Sequence, residues 1–170
     1  MKTKKVCVLP YDPRWQQDFE AIRLELAAAL GSLALRIEHV GSTSVEDLPA
    51  KPIIDIDVVI SDDIPLEDVV RALAGIGYLH EGNLGIPERE AFRYGCKPHL
   101  QKHHLYVCRE SSPELHRHIT FRDYLRSHPE AAGEYGTVKL EAARLYPADI
   151  EGYIAHKSPC IQKLYALCGL

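Results

Sequence analysis

The segment Ile53-Ile54-Asp55-Ile56-Asp57-Val58-Val59-Ile60 sets the terms for the whole chain. Apart from its two aspartates it is all Ile and Val, and so reads as a buried strand. An unpaired ionised carboxylate in apolar surroundings is very costly, so Asp55 and Asp57 need a compensating partner. Side chains alternate along a strand. Both aspartates therefore point to one side, close enough to share a divalent cation. Any fold of this chain must supply a sheet that has a use for two acids on a central strand.

Just upstream lies His39-Val40-Gly41-Ser42-Thr43-Ser44-Val45. Leu33, Leu35 and Ile37 alternate with Ala34, Arg36 and Glu38, which reads as a half-buried strand. His39 then falls on the side of Ile37, and Glu38 on the other. The turn at Gly41, Ser42 and Thr43 offers backbone N–H groups and hydroxyls to phosphate oxygens. Lys51, between Pro49 and Pro52, enters the aspartate strand on extended backbone and is the preferred basic ligand. Together these features make a metal–phosphate site for in-line phosphoryl transfer, with Mg²⁺ as the natural cation for paired carboxylates. The plainer reading of Asp55 and Asp57 is a structural pair, and of the turn simple Ser/Thr turn chemistry.

The remaining chain frames this centre. Val6–Leu9 reads as a short edge strand. Asp12-Pro13 opens a helix whose stripe is Trp15, Phe19, Ile22, Leu26 and Leu30, ended by Gly31. Ser61-Asp62-Asp63 caps a helix over 65–74, and Tyr78–His80 is a third strand. Residues 81–97, with Gly82, Gly85, Pro87 and Gly95, read as a loop carrying Arg89, Arg93 and Lys97. His103–Cys108 is the fourth strand. Helices follow from Ser112, His128 and Asp149, the last of them bent or split at Ser158-Pro159. The reading is α/β (α+β): a mixed-sheet core over 1–110 with a helical subregion over 111–170, in one domain.

Composition narrows the function. A chain of 170 residues with 46% hydrophobic and 26% charged residues is an ordinary globular one. Its net charge of −4 leaves no basic footprint for duplex nucleic acid. No apolar run is long enough to span a membrane, and the apolar stretch after the basic start is too short for a secretory signal. The five cysteines are widely spaced and lack a Cys-x-x-Cys pair, which suits reduced thiols in a cytoplasmic protein.

Glu38-His39-Val40-Gly41-Ser42-Thr43-Ser44-Val45, with Leu48-Pro49-Ala50-Lys51-Pro52-Ile53-Ile54-Asp55-Ile56-Asp57, resembles the GrpB family. Phe121-Arg122-Asp123-Tyr124-Leu125-Arg126 with His128-Pro129 resembles it too. The resemblance implies the nucleotidyltransferase fold of DNA polymerase β type, in which a Gly-Ser motif precedes a strand bearing Asp-x-Asp. It also implies kinship with domains fused to dephospho-CoA kinases. The superfamily adds a third carboxylate from a later strand. Here that strand reads His104-Leu105-Tyr106-Val107, with His104 near the place of the acid. Imidazole brings Mn²⁺ or Zn²⁺ into competition with Mg²⁺.

Three functions follow. The first is nucleotidyl transfer from ATP or another nucleoside triphosphate to a small-molecule or protein acceptor. Asp55, Asp57 and His104 would hold the metal, and His39 or His104 would act as base. Gly41, Ser42, Thr43, Lys51, Arg89 and Arg93 would take the phosphates. The second is a nucleotide- or coenzyme A-like-binding or partner-binding module on the same frame. The third is a metal-dependent hydrolase with Asp55, Asp57, His39 and His104 as mixed ligands. His116-x-His118 is set aside, because residues two apart on a helix do not face each other.

Overall fold

The computed structural model describes residues 5–170, so the basic start, except Lys5, lies outside the described residues. Helix α1 (Arg14–Leu30) begins where the Asp12 carboxylate accepts the Arg14 backbone N–H at 2.9 Å. It ends at Gly31, whose φ of 53° is a left-handed conformation glycine adopts without strain. Trp15, Ile22, Leu26 and Leu30 are buried along one stripe, with Phe19 beside them.

Five strands form one sheet in the order β1-β2-β5-β4-β3: β1 (Arg36–Val40), β2 (Ile54–Ile60), β3 (Tyr78–Gly82), β4 (Arg89–Tyr94) and β5 (His103–Arg109). Strands β2 and β5 run parallel, and every other pair is antiparallel. The central place of β2 explains its Ile/Val run, since both of its faces are covered. Ile54, Ile56, Val58 and Ile60 face α1 and α2 (Leu66–Ala74). Asp55, Asp57 and Val59 face the other way, where α3 (Pro113–Ser127) crosses with Leu115 and Ile119 against Val59 and Cys108. Helices α4 (Pro129–Leu145) and α5 (Ile150–Leu167) complete that side. Ser112 and Asp149 cap α3 and α5 through the N–H groups of Leu115 and Gly152, as the sequence implies.

Helix α4 lies directly on the segment leading into β2. A Cβ on Gly136 would stand 2.7 Å from Pro49 Cδ, so only glycine allows this approach.

Several local expectations change. Residues 6–9 form no strand; Leu9 makes a single bridge to Ala50. Strand β1 starts only at Arg36, because residues 31–33 make a 3₁₀ turn. The Ser61–Asp63 segment does not cap α2, which starts after Pro65 with no side-chain cap. Asp62 instead accepts from the Ser111 N–H and hydroxyl. Residues 89–94 are a strand, not loop, and bring the sheet to five. Helix α5 runs through Pro159 unbroken. All five cysteines are free, and among the described residues no helix is long and apolar enough to cross a membrane.

Candidate functional site

Register decides which side chains meet. Glu38 pairs with Asp57 and Val40 with Asp55 across β1–β2; Asp55 pairs with His104 and Asp57 with Tyr106 across β2–β5. Directly paired residues share a face, so Glu38, Asp55, Asp57, His104 and Tyr106 all lie on the face of the sheet that carries the cleft. His39 pairs with Ile56 and points the opposite way.

Asp57 is fully buried. Its Oδ2 accepts from His118 Nδ1 on α3 at 2.6 Å, and His118 Nε2 lies 3.1 Å from Glu114 Oε1. Burial raises the Asp57 carboxyl above its ordinary range, against the opposing pull of His118. Burial works against charge on His118, but the bond and charge of Asp57, with Glu114 and Asp55 behind it, outweigh this and raise the ring. The His118 ring thus stands between two carboxyl groups, Asp57 at Nδ1 and Glu114 at Nε2. Asp57 Oδ1 is buried and has no hydrogen-bond partner among the described residues.

Asp55 is tied differently. Its Oδ1 accepts from His104 Nδ1 at 3.0 Å. Gly41 packs against its other oxygen, where any Cβ would collide with Oδ2, and Gly41 also holds a φ of 74°. Glycine is thus required twice over at that turn. Ser42–Ser44 then form one 3₁₀ turn.

Facing Asp55 across the cleft is a basin of about 150 Å³ lined by Ser42, Lys51, His104, Lys139, Tyr153 and Lys157. Lys139 is 3% exposed and Tyr153 1%. The Tyr153 hydroxyl is buried without a partner, and no carboxylate lies within ion-pair distance of Lys139 or Lys157 among the described residues. Burial, then Lys157 and Lys51, push Lys139 down to about 7 against the pull of Asp55. Burial and Lys51 likewise lower Lys157 to about 8. An aromatic compartment of about 200 Å³ adjoins the basin through Ser42 and Asp55.

The structure brings Asp55, Asp57, His104, Gly41, Ser42 and Lys51 into this cleft. It does not bring His39. That ring is stacked on Phe19, bonded through Nε2 to Thr43 Oγ1 at 2.9 Å, and lowered by burial to about 4. It is a neutral core group, so the base role and the hydrolase ligand set that used it both fail on geometry. Thr43 lines the basin but spends its hydroxyl on that ring. Arg89 lies 4.3 Å from the Tyr106 ring, and Arg93 lines a separate cavity of about 470 Å³ with His104 and Tyr106. His118 reaches the site without its neighbour His116. Lys157 joins the site as well; Tyr153 and Lys157 stand one helical turn apart and share a face.

The donor set distinguishes between cations. Among the described residues no three His, Cys, Asp or Glu side chains gather as a metal cluster. Zn²⁺ takes three or four protein ligands, and these residues do not fit it. Mg²⁺ takes one or two carboxylates and fills its shell with water and phosphate oxygens. Asp55 and the unpartnered Oδ1 of Asp57 fit that smaller demand.

A mixed sheet with a Gly-Ser turn before an Asp-x-Asp strand, roofed by helices, is a nucleotidyltransferase-like fold. In agreement, a crystal structure of the Cid1 poly(U) polymerase with MgGTP bound superposes with a TM-score of 0.55 at 13% identity, over 81% of this chain and 44% of that one. The chain belongs to the GrpB family, whose model, described as GrpB protein, matches residues 5–167. The crystal structure of the conserved protein GrpB from Enterococcus faecalis is 34% identical with a TM-score of 0.82, covering 95% of this chain and 96% of that one. UPF0157 protein YqkA of Bacillus subtilis is 32% identical over 159 residues, 94% of this chain but 46% of its own length. A dephospho-CoA kinase of Mycolicibacterium paratuberculosis is 27% identical over 183 residues, again 94% of this chain and 45% of the kinase. The chain thus spans about half the length of some relatives it matches.

Proposed function

We propose that the cleft binds a nucleoside triphosphate with Mg²⁺ or Mn²⁺ and transfers its nucleotidyl group to an acceptor. The observation that carries this is the lysine basin set against Asp55. Lys139 and Lys157 have no acid partner among the described residues, and the Tyr153 hydroxyl beside them is unpartnered. Three lysines gathered around a single carboxylate, Asp55, leave the basin with an excess of positive charge, which suits a ligand with several negative charges.

In this reading Lys51, Lys139, Lys157 and the Ser42 turn seat the terminal phosphates. Asp55 and Asp57 Oδ1 hold the cation, which neutralises phosphate charge and acidifies an acceptor hydroxyl. His104, its Nδ1–H committed to Asp55, presents Nε2 to the acceptor's proton. His118 holds Asp57 through Oδ2, which leaves Oδ1 uncommitted. Pyrophosphate release should require Mg²⁺ or Mn²⁺ and vanish in Asp57→Asn. Equal turnover of wild type and Asp57→Asn with every acceptor class tried sinks the enzymatic reading.

One observation favours a second reading, a binding module on the same frame. Tyr106, not an acid, stands opposite Asp57. In that case calorimetry with a non-hydrolysable triphosphate gives the same affinity with and without metal, and Asp57→Asn changes it little. A strictly metal-dependent affinity removes this alternative.

A further inference from the structure

We infer that the aromatic compartment between α3, α4, α5 and the Gly-Ser turn is the seat of the nucleobase, and that Arg117 reads the edge of the base there. The inference rests on the triphosphate reading above and adds which part of the ligand goes where.

The compartment shares Ser42 and Asp55 with the lysine basin, so the two spaces are neighbours and a molecule with its phosphates in the basin has the compartment next to it. The two spaces differ in chemistry. The basin gathers three lysines around Asp55 and His104; the compartment sets the rings of Phe121, Tyr135 and Tyr165 beside Arg117, Arg122 and His118. Phe121 meets Tyr165 edge to face at 5.0 Å and Tyr135 at 6.0 Å, an arrangement that fixes the ring orientations. Phe121 and Tyr165 are only half-buried, which leaves apolar ring surface open to the cavity. Flat heteroaromatic ligands are held on such platforms, and stacking tolerates any base.

Discrimination needs directional donors. Arg117 lies at the rim with its guanidinium 5.9 Å from the Tyr165 ring centroid, and its nearest acid, Glu114, is 3.9 Å away. Its side chain is 52% exposed and therefore has freedom to turn. A guanidinium fork donates to two acceptors at once, which guanine offers at O6 and N7, whereas adenine places a donor amino group beside N7. The site therefore takes guanine in preference to adenine.

The experiment is equilibrium binding to the full chain in Mg²⁺, with three probes: non-hydrolysable GTP and ATP analogues, and inorganic tripolyphosphate, which has no base. Wild type should bind the GTP analogue about tenfold tighter than tripolyphosphate. Tyr165→Ala should erase that margin while leaving tripolyphosphate affinity unchanged, which also shows that the variant is folded. Arg117→Ala should bring GTP and ATP analogues to equal affinity. If the margin survives Tyr165→Ala, or the preference survives Arg117→Ala, the base lies elsewhere and the inference is wrong. If none of the three probes binds wild type, the triphosphate reading itself falls, and this one with it.

Discussion

The two walls of the cleft handle charge in opposite ways. On the sheet wall each aspartate is given an imidazole: Asp57 bonds His118, and Asp55 bonds His104. On the helical wall buried Lys139 and half-buried Lys157 line one basin, with no acid at ion-pair distance of either among the described residues. The sheet wall is largely compensated from within, apart from one oxygen of Asp57. The helical wall carries a cost that folding alone leaves in place. Cost of that kind is retained where a ligand relieves it, so the lysines point to the ligand more firmly than the aspartates do.

The comparison can be broken most forcefully at His118. Replacing it by Ala leaves Asp57 buried without its partner, and urea unfolding should show a loss of roughly 3–5 kcal/mol. A loss within error would mean that the sheet wall is not held by this pair. Gly41→Ala comes next: the added methyl meets Asp55 and needs left-handed backbone, together costing about 3 kcal/mol in the same assay. A neutral result would dissolve the argument that the turn is fitted to Asp55.

On the far face of the sheet, His39 carries a smaller version of the helical wall's burden. Its ring is held to about 4, well below the ordinary 6.5, so the unfolded chain takes up the proton first. Its contribution is complete above pH 6.5 and is lost as pH falls from there toward 4, by on the order of 3 kcal/mol. His39→Gln should flatten that part of the stability–pH curve; an unchanged slope would place the acid sensitivity elsewhere.

The smallest effect has the opposite sign. Lys139→Met removes a buried amine that has the Tyr135 ring but no acid beside it, and in phosphate-free buffer at neutral pH should raise stability by roughly 1–2 kcal/mol. The same variant should lose tripolyphosphate binding. A destabilised Lys139→Met would erase the contrast between the walls.

Much of this arrangement was legible before any coordinates. The Ile/Val run placed Asp55 and Asp57 on one face of a central strand, and alternation in β1 already separated Glu38 from His39. Strand β4 was not legible, because Gly82, Gly85, Pro87 and Gly95 surround it and its buried residues, Ala91 and Phe92, are consecutive rather than alternating. His118 was missed for a different reason. His116 and His118 do not face each other on the helix, and His118 gains its role only because α3 crosses the face of β2 that carries Asp57. Lys157 lies on the final helix, and only tertiary packing brings it to Asp55. Residues that reach the site along the aspartate strand and its flanks announce themselves locally; those that arrive by docking do not.

The contact between Gly136 and Pro49 has a consequence for substrate range. Lys139 follows Gly136 by three residues on the same face of α4, so that contact acts as a spacer that gauges how far the amine stands from Asp55. The gauge contains no charge and touches no ligand. Exchanges at these two apolar positions are therefore where nature, or a protein engineer, can retune the anion this cleft accepts without altering a single ligand-binding side chain.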